Sequence, residues 1–514
     1  VSRALLSLYK GGLRKLFTRT QFRTQERRSI RVIPFEPPKE GRLIENYLVD
    51  YELGVKNGAS YSSSYTVYLY EVRGKGLYLI KEPYLNPEIS SIVAYAIDTL
   101  STWLAPSPIV EIDPLGYLLA ELERGGFLKG RNFTEEIKAA TYYLMRDILG
   151  YGIIDSLIRD PEIEDISCEG VVKPVKVWHR RLNSNGWLET NILFSEQENL
   201  DAIVARLVHR SNRSVSISSP IIDSVLPEGY RLAATWGREV TSQGSSFNIR
   251  KLRTIPYTIS ELIKMRTMDA KLASYLWLLL EMKGFVIIAG VPASGKTTLL
   301  NSLATVLNPN WKIVSIEDTR EINLPQSGWK PLHTRYSHSE STNVTLFDLV
   351  KLSLRERPDF VVLGESRGEE VQALFQAAAS GSGCLTTFHA SNTEGMIARM
   401  TQPPLSVSHS SLNLIDAVVF MVRSTSGTRY IQEVVEIIDG SRSIFKFNNG
   451  AWEGSAEESA RLEIRGTGYG HSAKKISFEL ERRVEFLERL VGKGISSYVA
   501  IERELRLFYL NLAF

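Results

Sequence analysis

Cysteine, long apolar runs and charge imbalance are all scarce in this chain, and each shortage removes a class of answers. Cys168 and Cys384 are the only two cysteines among 514 residues, too few for a disulfide framework or a four-cysteine zinc site. Both stand in strand-like apolar surroundings, which reads as buried core thiols. The longest apolar stretch, Leu272 to Leu280, is soon interrupted by Glu281 and Lys283 and falls well short of the roughly 20 residues a spanning helix needs. No charged start, apolar centre and small-residue cleavage site combine into a secretory signal. Net charge is only +3, so charge alone points to no nucleic-acid partner. The default expectation is a cytoplasmic protein.

What is present is an ordinary globular composition, 43% hydrophobic and 23% charged, in a chain long enough for roughly three or four domains. Residues 1–40 read as a basic arm. Arg3, Lys10, Arg14, Lys15, Arg19, Arg23, Arg27, Arg28 and Arg31 are interspersed with Leu5, Leu6, Tyr9, Leu13 and Phe17, the last five near helical spacing. That pattern suits an amphipathic segment touching an anionic membrane surface or an acidic partner; a solvated or docked tail is the plainer alternative. Pro34, Pro37 and Pro38 mark a linker. An accessory domain is expected over 41–130, with alternating strands at Tyr65–Val72 and Gly76–Ile80. A second, α+β domain over 131–255 opens with a helical pattern from Glu135 to Leu149 and continues with strands at Pro174–His179, Arg231–Trp236 and Ser246–Arg250 around a helix at Glu196–Arg210. Pro256 stiffens the linker that follows.

From 256 to 440 strands and helices alternate, as in an α/β fold with a mostly parallel sheet covered on both faces. Residues 441–514 hold a Gly- and Ser-rich loop and then a helical tail, where Leu480, Val484, Leu487 and Leu490 recur every three or four positions before Gly492 and Gly494.

The chemistry sits in the α/β region. Gly290-Val-Pro292-Ala293-Ser294-Gly295-Lys296-Thr297 fits the phosphate-loop pattern G-x-x-x-x-G-K-T, with a buried-strand reading for Phe285–Ala289 before it and a helix opening at Thr298 after it. In that context backbone N–H groups wrap a triphosphate at a helix N-terminus. Lys296 would reach the outer phosphates and the Thr297 hydroxyl would hold Mg²⁺. A second strand ends in Glu317-Asp318, placing carboxylates at the sheet edge where such folds bind ligands; Glu317 could orient or deprotonate the attacking water. A third, Phe360-Val-Val-Leu363, closes on Gly364-Glu365. This resembles a Walker B strand with Gly364 in place of the usual aspartate, so Glu365 must serve the hydrated Mg²⁺ or the water. A fourth, Cys384 to Phe388, ends at His389, which would face the γ-phosphate.

Together, Gly290–Thr297, Ile316-Glu317-Asp318, Arg357-Pro-Asp359 through Glu370, and Thr387-Phe-His389-Ala resemble the secretion ATPase superfamily of type II and type IV secretion, type IV pili and the archaeal flagellum. The resemblance covers about residues 135 to 440. It implies a RecA-like ATPase domain using ATP and Mg²⁺, preceded by α+β N-terminal domains, assembled as a homo-hexamer at the inner face of the membrane beside a polytopic platform protein. It also gives meaning to Pro220–Arg231 and Phe247–Lys251, which are similar to the family's N-terminal-domain segments; the resemblance implies that Arg231 and Arg250 stabilise phosphate charge. The missing zinc motif and long N-terminal region look most like the archaeal secretion and archaellum group. A DNA translocase or helicase, a conjugation-type ATPase and a nucleotide-gated scaffold are the competing readings. Near-neutral charge weighs against the first, and the intact set Lys296, Thr297, Glu317, Glu365 and His389 against the last.

Overall fold

The computed structural model describes residues 31–510 apart from 33–34, 57–58, 88, 92, 95–96, 98–134, 183–185, 252–255, 336–342, 425–426 and 439. The expected amphipathic segment at 4–17 lies outside the described residues, as does part of the expected linker. The chain divides into two compact units, Val1–Lys251 and Leu252–Phe514. Among the described residues, no helix is long and apolar enough to cross a membrane.

The first unit is organised by one sheet. Its strands are β1 (Arg31–Val32), β2 (Arg42–Lys56), β3 (Ala59–Val72), β4 (Lys75–Lys81), β5 (Ile163–Cys168), β6 (Pro174–His179), β7 (Leu188–Leu193), β8 (Ile221–Val225), β9 (Arg231–Thr235) and β10 (Ser246–Arg250). The order is β2-β3-β4-β7-β6-β5-β10-β9-β8, with β1 pairing β7. Strands before and after residue 130 therefore share one hydrogen-bonded layer, joined where β4 runs parallel to β7. Alternation explains which face is covered: in β9 and β10 the buried positions are Leu232, Ala234, Phe247 and Ile249. They share one apolar cluster with Leu200, Ile203, Val204 and Leu207 of the helix Gln197–Arg210. The helical pattern from Glu135 does reach Leu149, but α-helix gives way to a π-helical turn over Met145–Leu149.

A polar knot lies inside this unit. Buried Asp160 accepts hydrogen bonds from the hydroxyls of Tyr47 and Tyr78, at 2.7 and 2.5 Å. Lys251, also buried, donates to the carbonyls of Leu157 (3.0 Å) and Asp160 at the end of the short helix Asp155–Arg159. Burial pushes its ammonium down to about 7, against the pull of Asp160.

The second unit is an α/β layer structure. Its strands are β11 (Phe285–Gly290), β12 (Ile313–Glu317), β13 (Trp329–His333), β14 (Phe360–Leu363), β15 (Gly383–Phe388), β16 (Ala417–Arg423), β17 (Arg429–Ile437), β18 (Ser441–Asn448) and β19 (Ala451–Gly454). They lie in the order β13-β12-β14-β15-β11-β16-β17-β18-β19. The first six in that order are parallel and the rest antiparallel. Residues 441–454 thus extend the sheet as a hairpin. β11, β12, β14 and β15 are buried along their whole length, as strands covered on both faces must be. Cys384 is one of those buried positions, and Cys168 is buried in the other unit; both are free thiols.

Four helices matter below: α1 (Ala270–Glu281), α2 (Lys296–Thr305), α3 (Ala473–Gly492) and α4 (Tyr498–Leu510). The run Leu272–Leu280 is the centre of α1 and is buried throughout, which is why it is apolar on every side. Trp277 of α1 meets Phe486 of α3 and Phe508 of α4, with ring centroids 5.5 and 4.9 Å apart. Arg483 of α3 is buried there and paired with Glu281 and Glu479. The helical tail is therefore part of this unit's core.

Candidate active site

Parallel pairing brings the C-terminal ends of β11, β12, β14 and β15 to one edge of the sheet. Leu363 registers with Ile316 on one side and Thr386 on the other, and Ala289 registers with Phe388. The residues just beyond are Gly290, Glu317-Asp318, Gly364-Glu365 and His389, so four separated sequence motifs meet at this edge.

The loop from Gly290 to Gly295 leaves β11 and feeds α2. Gly290 has φ 158°, and a Cβ there would stand 2.5 Å from the carbonyl of Met421 and 2.7 Å from Ser294 Oγ. Gly295, at φ 94°, caps α2 in a left-handed conformation, and Ala293 also has positive φ. Such a backbone turns successive N–H groups toward one concavity. The N-terminal amides of α2, over Lys296, Thr297 and Thr298, have no carbonyl within the helix to bond. Buried Ser294 Oγ likewise has no hydrogen-bond partner. A cradle of unpaired donors closed by glycines fits a polyphosphate, and Thr297 offers the hydroxyl that a phosphate-bound Mg²⁺ takes. Among the described residues no cluster of three or more His, Cys, Asp or Glu could hold a metal ion alone. Pro292 is an exposed member of the loop, and Arg429 Nε steadies Ala293 by donating to its carbonyl (3.1 Å).

Lys296 is mostly buried, and Nζ donates to the Val291 carbonyl at 3.0 Å. It also lies 3.4 Å from His389 Nδ1. His389 Nε2 is 3.1 Å from Glu365 Oε1. Burial lowers the pKa of Lys296, with Glu365 opposing, and burial followed by the Lys296 charge lowers that of His389. Thr387 Oγ1 donates to the Gly364 carbonyl (2.7 Å), and Ser366 N to the Thr387 carbonyl (2.9 Å), so Glu365 and His389 are laced together at their bases.

Glu317 behaves differently. It is buried, and Oε1 accepts the backbone N–H of both Glu321 and Ile322 at 2.9 Å. Its side chain also accounts for Gly364: a Cβ on that glycine would stand 3.1 Å from Glu317 Cγ. A side chain beginning there would crowd that methylene, which would have to give by a few tenths of an ångström. Asp318 pairs with Arg367, and Glu370 Oε1 accepts the amides of Arg367 and Gly368 at 2.7 Å, tying the loop after β14.

Arg231 and Arg250 belong to the first unit, where they are directly opposite on β9 and β10. Asp165 on β5 is opposite Arg250 in turn, so the three form one row on a single face. Burial raises the Asp165 pKa, with Arg250 pulling the other way. The structure thus gathers Lys296, Glu317, Glu365 and His389 at one edge of the second unit's sheet and sets the two arginines side by side within the first unit.

Residues 154–437 match the family described as Type II/IV secretion system protein. The chain belongs to that family. An uncharacterized protein of Methanocaldococcus jannaschii is 34% identical over 397 residues, covering 73% of this chain and 70% of its own. The type IV secretion system protein PtlH of Bordetella pertussis is 26% identical over 309 residues, 53% of this chain and 90% of its own. The X-ray structure of the Legionella pneumophila ATPase DotB aligns with TM-score 0.41 and 17% identity, over 68% of this chain and 92% of that one. The Methanocaldococcus relative fits the archaeal placement within the type II/IV secretion family. The family match takes in all four sheet-edge motifs as well as Arg231 and Arg250. Tyr498 and Asn301 carry no motif signal; Asn301 lies on α2 beyond the phosphate-loop pattern.

Proposed function

We propose that the chain is a Mg²⁺-dependent ATPase that drives protein secretion or the assembly of a pilus-like filament, acting as a homo-hexamer beside a membrane platform protein. The observation that carries this reading is the contact series Lys296–His389–Glu365 beside the glycine-closed phosphate cradle. Phosphoryl transfer to water asks for positioning and charge stabilisation rather than covalent chemistry. Backbone amides of the segment Gly290 to Thr298, Pro292 having none, and the Lys296 ammonium bind and orient the phosphates. Thr297 and Glu365 would hold Mg²⁺, which would supply charge neutralisation on the phosphate oxygens. Glu365 is the better placed carboxylate to take a proton from the attacking water, because Glu317 Oε1 is already committed to two backbone amides, which leaves Glu317 to orient that water. Arg231 and Arg250 add paired guanidinium donors for phosphate charge.

Turnover is converted to work by rigid-body motion about a hinge near Tyr257. The basic N-terminal arm contacts anionic lipid, which keeps the motor at the cytoplasmic membrane face.

The test is Mg²⁺-dependent ATP hydrolysis by the purified chain, alone, with anionic vesicles and with DNA, beside Lys296→Ala and Glu365→Gln. Hydrolysis lost in both variants and indifferent to DNA supports the motor. Strong stimulation by DNA moves the assignment to a translocase, and binding without turnover in every condition leaves a nucleotide-gated scaffold.

A further inference from the structure

The C-terminal helix α4 touches the catalytic edge through a short relay. The Tyr498 hydroxyl, in the first turn of α4, donates to the backbone carbonyl of Asn323. Asn323 lies in the loop that follows β12, six residues after Glu317. Its amide donates to Asn301 Oδ1 (3.3 Å), and Asn301 Nδ2 donates to the Glu321 carbonyl (3.1 Å). Asn301 is buried on α2, the helix that begins with Lys296. The same loop presents the Glu321 and Ile322 amides that grip Glu317 Oε1.

Two further contacts anchor this assembly. Gln326 Nε2 lies 3.1 to 3.2 Å from the carbonyls of Ala304, Thr305 and Leu307, capping the end of α2. Tyr509, at the other end of α4, donates to the Val306 carbonyl (3.1 Å) and accepts from Trp277 Nε1 (2.9 Å). Helix α4 therefore holds the Glu317 loop at its first turn and the end of the phosphate-loop helix at its last. Ile322 and Leu324 belong to the same buried cluster as Ile501 and Leu505, so apolar packing backs the polar relay.

We propose that α4 is a brace for the Glu317 loop and that Tyr498 is a positioning residue for Glu317, acting through the Asn323 carbonyl and the Glu321 and Ile322 amides. This rests on the reading of the sheet edge as an ATPase site. A backbone carbonyl has two acceptor sites but no freedom to move independently of its loop, so a donor on α4 fixes the loop's height above the sheet. Nucleotide affinity does not pass through this relay, because the phosphate cradle is made by the loop from Gly290 to Thr297 on the other end of α2.

Tyr498→Phe removes one oxygen and keeps the ring, so the fold survives. In the full chain, amide exchange at Glu321 and Ile322 should quicken about five-fold, the effect of one lost hydrogen bond, while β11 amides stay unchanged. ATP turnover should show kcat about five-fold lower with KM unaltered. In a Glu317→Gln background the same substitution should cost nothing further, because it acts through Glu317. Unchanged exchange at Glu321 and Ile322, or an equal kcat loss in the Glu317→Gln background, overturns the brace. The exchange readout needs no turnover. If the unaltered chain hydrolyses no ATP, the ATPase reading falls, while the exchange difference still decides whether α4 holds the loop.

Discussion

His389 donates from Nε2 to Glu365 across 3.1 Å. The tautomer follows from the other side of the ring, where Nδ1 faces Lys296 Nζ at 3.4 Å. An ammonium can only donate, so Nδ1 accepts and the proton of the neutral ring sits on Nε2. The imidazole thus links the lysine proposed to bind phosphate to the carboxylate proposed to act on water.

Replacing Glu365 by Gln should cut ATP turnover by about 100-fold or more, the scale of a lost general base, with nucleotide binding retained. His389→Ala should lower turnover less. Since burial and the Lys296 charge depress the His389 pKa, the ring is neutral at pH 7. It becomes protonated only as pH falls below the usual histidine range of about 6.5. Turnover should hold steady above neutrality and decline in acid, and that decline should be shallower in His389→Ala. A pH–rate profile of both proteins checks this.

Gly364 is where steric detail can be tested apart from catalysis. A Cβ at that position meets Glu317 Cγ at 3.1 Å, and Glu317 cannot easily withdraw because two amides hold it. Gly364→Ala should destabilise the chain by about 1–3 kcal/mol, and a Glu317→Ala background should relieve most of that cost. Chemical denaturation of the two single variants and the double variant reads the coupling directly.

Arg231 and Arg250 confront each other as cross-strand neighbours, an arrangement of like charge that disfavours the sheet unless an anion or a carboxylate answers it. Asp165 answers from the Arg250 side. Removing one arginine should leave stability within about 0.5 kcal/mol yet lower kcat/KM for ATP about ten-fold or more, as expected for a lost charge-assisted hydrogen bond. An unchanged rate in Arg231→Ala and Arg250→Ala would remove both residues from the mechanism while leaving the sheet-edge assignment intact.

Lys251 gives a pH signature in the first unit. Its folded pKa is about 7, whereas an unfolded lysine titrates near 10.4. Between those values the unfolded chain binds a proton that the folded chain does not, so stability rises with pH from about 7 to about 10. Lys251→Met should flatten that rise. Denaturation midpoints of the full chain across this range, with and without the substitution, measure the difference.

Much of this was legible in the amino-acid order because it depends on local rules. The phosphate loop needs glycines at set positions before a helix, and Gly290 and Gly295 both adopt positive φ where a side chain would be strained. Fully apolar runs such as Phe285–Ala289 announce strands covered on both faces, and period-two alternation in β9 and β10 announces a sheet open on one side. Those signals sufficed for the α/β fold, its family and the four sheet-edge motifs. Tertiary structure alone decided which side chains are committed to which partners. Glu317 and Glu365 look equivalent as acids after strands, but only folding hands Glu317 to the Glu321 and Ile322 amides and leaves Glu365 facing His389. Nor does any pattern connect Tyr498 to Asn323, 175 residues apart. Their meeting depends on how α4 docks on the core through Trp277 and Phe508, a long-range packing choice with no periodicity to record it in the chain.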